Sequence, residues 1–140
     1  MNNRLFHLLD DLRSYFEELT RKAFLIKIED QLAGFVLLRQ LQSLPINSWD
    51  MSEFFILSKF QGKGVGGQVA QIIWNTYPGY WEVSIIPENK SALAFWRKII
   101  SVYTNKNYNE EIKTITYDKN QPQSYFLTFD SCIHSAIGGV

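Results

Sequence analysis

Residues 62–67 read Gly62-Lys63-Gly64-Val65-Gly66-Gly67, four glycines in six positions. Such density costs backbone entropy. It is retained where the chain must take φ > 0 or pass close to another group. The run Glu53-Phe54-Phe55-Ile56-Leu57 before it reads as a central strand covered on both faces. Gln68 to Tyr77 after it, apolar at Val69, Ile72, Ile73 and Tyr77, reads as a helix stopped by Pro78-Gly79. A strand, a glycine loop and a helix in this order aim the helix's unpaired N–H groups and its positive dipole end at the loop. That is a site for a phosphate or pyrophosphate, with Lys63 adding a positive charge.

The rest of the chain supplies a sheet around this unit. Leu5, Leu8, Leu9, Leu12, Phe16 and Leu19 recur at helical spacing and predict an amphipathic helix over Leu5–Leu19. Ala23–Ile28 and Leu32–Leu38, separated by Glu29-Asp30-Gln31, predict an antiparallel hairpin. The breakers Pro45 and Asn47-Ser48 make Gln40–Asp50 a loop. Tyr80–Ile86 is a further strand, Lys90–Ile100 a second helix after Pro87-Glu88-Asn89, and Ile112–Tyr117 and Tyr125–Phe129 are two closing strands. The expected order is α-β-β-β-α-β-α-β-β, an α/β fold on one mixed sheet. Ser135–Val140 read as a frayed end.

Composition narrows the class. The 140 residues fit one domain, 1–140, and 46% hydrophobic with 20% charged residues excludes a disordered tail. Fourteen basic residues balance fourteen acidic ones, so the broad positive field of a nucleic-acid binder is missing. No run reaches the length of a membrane span, and Met1-Asn2-Asn3-Arg4 opens no signal peptide; a cytoplasmic protein is expected. Cys132 alone makes neither an internal disulfide nor a multi-cysteine zinc site, and His7 and His134 stand at no metal spacing, so no metal is expected.

Two ligand classes fit the glycine loop. Gly62, Gly64 and Gly67 match the dinucleotide fingerprint G-x-G-x-x-G, with Glu82 about 20 residues on. That fingerprint begins directly at the end of a first strand, whereas Ser58-Lys59-Phe60-Gln61 intervenes here and the loop lies mid-chain. Walker A fails because no Gly-Lys-Ser/Thr closes the loop. The second pattern is Q/R-x-x-G-x-G/A, met by Gln61-Gly62-Lys63-Gly64-Val65-Gly66. Asn89, Ala92, Phe95 and Trp96 match N-x-x-A-x-x-F-Y except at its last position. With both motifs in order on a helix-forming context, the chain from Ala23 to Tyr103 resembles the GNAT superfamily of N-acetyltransferases. Glu53–Leu57 and Trp81–Trp96 are similar to a group of bacterial predicted acetyltransferases.

That resemblance implies a mixed sheet whose central strands splay to admit the pantetheine arm of acetyl-CoA. Phe54, Phe55 and Ile56 would pair their backbone with pantetheine, and an N–H near Ile56 would polarise the thioester carbonyl. Gln61, Gly62, Lys63, Gly64, Val65, Gly66 and Gly67 would form the pyrophosphate loop. Asn89 would bond the pantetheine arm, and Phe95 and Trp96 would wall the channel. The same Phe54, Ile56 and Phe95 are also what a core strand and helix carry. The implied reaction is direct attack of a small amine or peptide amine on the thioester, with Glu82 as first candidate base and Glu53 as second. Relatives place a tyrosine where this chain has Trp96, and an indole N–H does not protonate a thiolate. Tyr103 or solvent is left for that step. The rival reading from another class is a non-catalytic acyl-CoA-binding or regulatory module. Relatives also begin with a strand, and none is expected here before Ala23. A shortened N-terminus would leave a sheet edge open, and an open edge recruits a second copy, so a homodimer is expected.

Overall fold

The computed structural model describes residues 6–8, 21–41, 48–115, 119–120 and 122–132. Within them, strands β1 (Phe6–Leu8), β2 (Arg21–Ile28), β3 (Gln31–Leu41) and β4 (Ser48–Ile56) lead into helix α1 (Val65–Thr76). Strand β5 (Tyr80–Ile85), helix α2 (Lys90–Thr104), β6 (Asn109–Thr114) and β7 (Gln123–Asp130) follow. One seven-stranded mixed sheet has the order β1-β2-β3-β4-β5-β7-β6. The expected α/β class and the single mixed sheet are what the chain adopts.

The first strand corrects the reading of the N-terminus. Phe6–Leu8 pairs antiparallel with Phe24–Ile26 of β2, so a strand lies where helix was expected to begin, and that flank of the sheet is lined. Leu5, Leu8 and Leu9 keep helical spacing while Phe6 and Leu8 also alternate, and so short a run is not resolved by periodicity. The remainder of the Leu5–Leu19 helix, His134 and the 135–140 end lie outside the described residues.

The expected loop over Gln40–Asp50 is the second correction. Strand β3 continues to Leu41 and β4 begins at Ser48. Trp49 explains the early start: its ring stacks on Trp81 at 5.9 Å and meets Tyr77 at 5.3 Å, so aromatic burial holds the chain in the sheet directly after the breakers.

Strand β4 carries one extra residue. Leu38 pairs with Met51 but Leu37 pairs with Glu53, which leaves Ser52 as a β-bulge. The bulge resets the alternation. Trp49, Met51, Phe54 and Ile56 all face α1 and α2, while Asp50, Glu53 and Phe55 share the other face. Glu53 and Phe55 are exposed, so the second half of β4 is not covered on both faces as expected. Beside it, a Cβ on Gly34 would overlap the carbonyl oxygen of Phe55, so β3 approaches β4 at a distance only glycine admits.

Both helices pack on one face. Trp74, Trp96, Tyr103 and Phe129 form one aromatic group, Trp74 lying 4.8 Å from Phe129 and 6.3 Å from Trp96. The buried set around it includes Ile73, Ile100, Trp81 and Leu127, each fully buried. Helix α2 runs beyond the expected Ile100 because Tyr103 still packs inward, and it ends where Asn105 turns left-handed at φ 52°. Strand β6 lies at Asn109–Thr114 rather than Ile112–Tyr117, its register set by Ile112 opposite Tyr125.

Candidate active site

The site originates in incomplete pairing. β4 and β5 are parallel neighbours only over Ser48–Tyr80, Trp49–Trp81 and Asp50–Glu82. Past Asp50 the bulge turns β4 along β3 while β5 continues along β7, and the two strands part. A cleft of about 640 Å³ opens in the gap on the helix side. Phe54 and Ile56 of β4, Gln61, Gly62 and Gly64 of the loop, Gly66 and Gly67 in the first turn of α1, and Asn89, Phe95 and Trp96 at the start of α2 line it.

Each lining group is placed by a local cause. Gly64 is the N-cap of α1 at φ 78° and Gly62 has the same left-handed φ, a conformation that costs other residues about 1–2 kcal/mol. Nothing lies within 4 Å of where a Cβ would sit on either, so the space over the loop is open. At Gly66 the reverse holds: a Cβ would stand 2.8 Å from the Phe95 ring, and glycine is what lets α1 and α2 come together here. Gln61 Nε2 donates to the Ile56 carbonyl at 2.7 Å, tying the loop back to the end of β4. Asn89 Oδ1 accepts from Ala92 N at 3.1 Å and so caps α2, with the side chain at the wall of the cleft. Phe54 meets Trp96 edge-on at 5.0 Å and Phe95 at 6.1 Å, closing the apolar end.

Not every expected residue reaches the cleft. Lys63 is exposed in the loop and Val65 is buried in the first turn of α1; neither lines the cavity. The Phe55 side chain lies on the opposite face, stacked on Phe35. Tyr103 donates its hydroxyl to Asn75 Oδ1 at 2.7 Å, packs on Trp74, and has its pKa pushed up to about 12, mainly by burial. The structure therefore does not bring Tyr103 to the cleft, because two further turns of α2 carry it past Trp96. Ser91, Lys98 and Ile99 line the cavity without having been singled out. Their signal was there in the spacing: 91, 95 and 98 recur on one helix face with Phe95.

Glu82 stands where the strands part, facing away from the helices beside Asp50. Burial and then the Asp50 charge push its carboxyl pKa up, against the opposing charges of Lys113 and Arg39. Asp50, only 8% exposed, is pushed up by burial too, against Arg39 at 3.3 Å, a hydrogen bond from Ser52 Oγ at 3.2 Å, and with the Glu53 charge raising it slightly. A partly buried carboxylate with a raised pKa is a stronger base than a free one, which suits it to take a proton. Asp50 had gone unnoticed because it stood in an expected loop. Among the described residues no group of three potential ligands is placed to hold a metal ion, and no helix is long and apolar enough to cross a membrane.

The family decides what this cleft is related to. The profile of the acetyltransferase (GNAT) family matches residues 2–101. The chain belongs to the GNAT acetyltransferase family. A GNAT family acetyltransferase from Elizabethkingia anophelis with acetyl-CoA bound shares the fold at TM-score 0.64 and 13% identity, over 89% of this chain and 96% of that one. A Bacillus subtilis acetyltransferase in complex with CoA is similar at TM-score 0.65 and 11% identity, over 89% and 97%. A chimera of the spermidine N-acetyltransferase from Vibrio cholerae reaches TM-score 0.66 at 13% identity, over 87% and 74%. At these identities the GNAT likeness is one of fold. Among curated proteins none matches the chain.

Proposed function

We propose that this GNAT protein transfers the acetyl group of acetyl-CoA to a primary amine by direct attack in a ternary complex. The observation that carries the reading is the β4–β5 gap, with a glycine-lined helix N-terminus on one side and the Glu82 carboxylate on the other. The Gly62–Gly67 amides and the α1 dipole would hold the pyrophosphate, and the left-handed glycines with open space above them fit such a group. Lys98 is the cation on the wall, Asn89 Nδ2 would bond the pantetheine arm, and Phe54, Phe95 and Trp96 would flank it. The backbone of β4 through Phe55 and Ile56 lacks a strand partner toward β5 and offers N–H groups to the pantetheine and the thioester carbonyl.

The chemistry then balances simply. Glu82, directly or through water, takes one proton from the ammonium, with Glu53 as the second candidate. The freed nitrogen lone pair attacks the carbonyl carbon, the C–N bond forms, the nitrogen gives its second proton to water, the C–S bond breaks, and the sulfur leaves with its electron pair. Solvent is the proton donor to that thiolate, since Tyr103 is committed to Asn75. The same observation, with Trp96 at the cleft, favours the second reading, an acyl-CoA-binding module without turnover. Acetyl-CoA is an intracellular cosubstrate, and its use supports a cytoplasmic location. A homodimer no longer follows from an open edge, because β1 lines that flank; sedimentation at micromolar concentration reads the state directly, against 16.3 kDa for a monomer.

The deciding experiment pairs calorimetry with acetyl-CoA and with NAD against a turnover screen over primary amines. Acetyl-CoA binding with thiol release on an amine is the expected result. Binding without turnover on any amine selects the module, and preference for NAD overturns the reading.

A further inference from the structure

The face of the sheet turned away from α1 and α2 carries groups that cofactor binding does not use. Phe35 on β3 and Phe55 on β4 are register partners. Their rings stack at 5.6 Å and 27°, yet remain 37% and 45% exposed. The Ser52 bulge sets Glu53 on the same face as Phe55, two residues away, which is about 7 Å along an extended strand. Glu82 faces the same side from β5, next to Asp50. Asp50 is ion-paired with Arg39, so the carboxylates of Glu53 and Glu82 keep this end of the face negative, with Lys113 opposing from β6. The surface thus changes from carboxylate to flat aromatic over a single step along β4, beside the point where β4 and β5 part.

We infer that the acceptor is a primary ammonium joined by a short link to an aromatic body, with its nitrogen at Glu53 and Glu82 and its ring on the Phe35–Phe55 stack. The inference rests on the acetyl-transfer reading above and adds the substrate class to it. Two methylenes between nitrogen and ring span roughly 5 Å, which fits the strand spacing. The ring would cover apolar area now left in water. An amine bearing a carboxylate would meet Glu53 and Glu82 with the wrong sign. A polyamine would set its second ammonium over the rings, where the attraction at an exposed aromatic face is weak.

The test measures thiol release from acetyl-CoA with 2-phenylethylamine, ethylamine, spermidine and glycine, together with acetyl-CoA affinity by calorimetry on the same preparations. Covering one aromatic ring should raise kcat/KM for 2-phenylethylamine at least about tenfold over ethylamine, with glycine lowest. F35A should bring that ratio close to one, and F35Y should keep it. If F35A does not fold, as loss of acetyl-CoA binding would reveal, F35L removes only the ring and must still reduce the ratio. Spermidine outrunning 2-phenylethylamine, or a ratio unchanged in F35A, overturns the inference. Acetyl-CoA binding without turnover on any of the four also overturns it while leaving the cofactor cleft standing; no acetyl-CoA binding at all removes the reading beneath it.

Discussion

The cleft side of the sheet and its opposite face are built by different means. On the cleft side, most contacts come from residues close together in the chain: Gln61, Gly62, Gly64, Gly66 and Gly67 fall within seven positions, and one helix with its cap supplies Asn89, Phe95 and Trp96. On the other face, Arg39, Asp50, Glu53, Glu82 and the Phe35–Phe55 pair come from three strands, joined only by register. A surface made of one contiguous segment tolerates little change within it. One made by register is altered residue by residue, and the bulge decides which residues take part. Cofactor binding and acceptor chemistry should therefore separate cleanly under mutation.

The sharpest break between the two sides is at Glu82. E82Q should lower turnover by roughly 10²–10⁴-fold, the usual cost of losing a general base, with acetyl-CoA affinity little changed in calorimetry. An equal loss of affinity would mean the two sides are not independent. The converse variant is G66L. Its side chain must displace the Phe95 ring, an overpacking cost of about 1–3 kcal/mol that should appear as roughly 10–100-fold weaker acetyl-CoA binding. Titration of the bound complex with unchanged affinity would move the phosphate site elsewhere.

Asp50 sharpens the comparison through pH. Its charge helps hold the Glu82 pKa up. A base works deprotonated, so activity should rise as pH climbs through that raised pKa. D50N removes the neighbouring charge, lowers the Glu82 pKa, and should move the acid limb of the pH–rate profile to lower pH. An acid limb that stays in place would take Glu82 out of the rate-determining proton transfer. The smallest effect lies away from both sides. Arg97 Nε donates to Glu110 Oε1 at 2.8 Å, clamping α2 to the edge strand β6. Both side chains are partly exposed, so R97A should cost under about 1 kcal/mol in urea unfolding. The Glu110 pKa is lowered by this partner, so the contribution is present above the unfolded carboxyl pKa and fades as pH falls through the lowered one.

The same division explains what the sequence disclosed. The glycine loop, Asn89 and Phe95 were legible because their spacing is local and each residue type has one physical use there. Hairpin β2–β3, the helices and β5 were legible from periodicity. Asp50 was not, because Pro45 and Asn47-Ser48 signal a loop while the stacking of Trp49 on Trp81, a contact 32 residues away in the chain, restores the strand. Tyr103 looked available from its place after the motif helix, and only the packed structure shows its hydroxyl on Asn75. The Phe35–Phe55 stack could not be read at all, since nothing in either strand alone announces which residue the other will oppose.

The extra residue at Ser52 acts as a parity switch. Ahead of it, odd-numbered residues of β4 turn toward the helices; after it, even-numbered ones do. Removing Ser52 alone would leave a regular strand with the faces unchanged; flattening the bulge with Ser52 kept, so that Ser52 pairs with Leu37, would send Glu53 and Phe55 into the cofactor cleft and Phe54 and Ile56 out to the opposite face. Position 55 can thus be varied without touching the cofactor cleft, whereas the register at Ser52 cannot slip by one residue without exchanging the two surfaces.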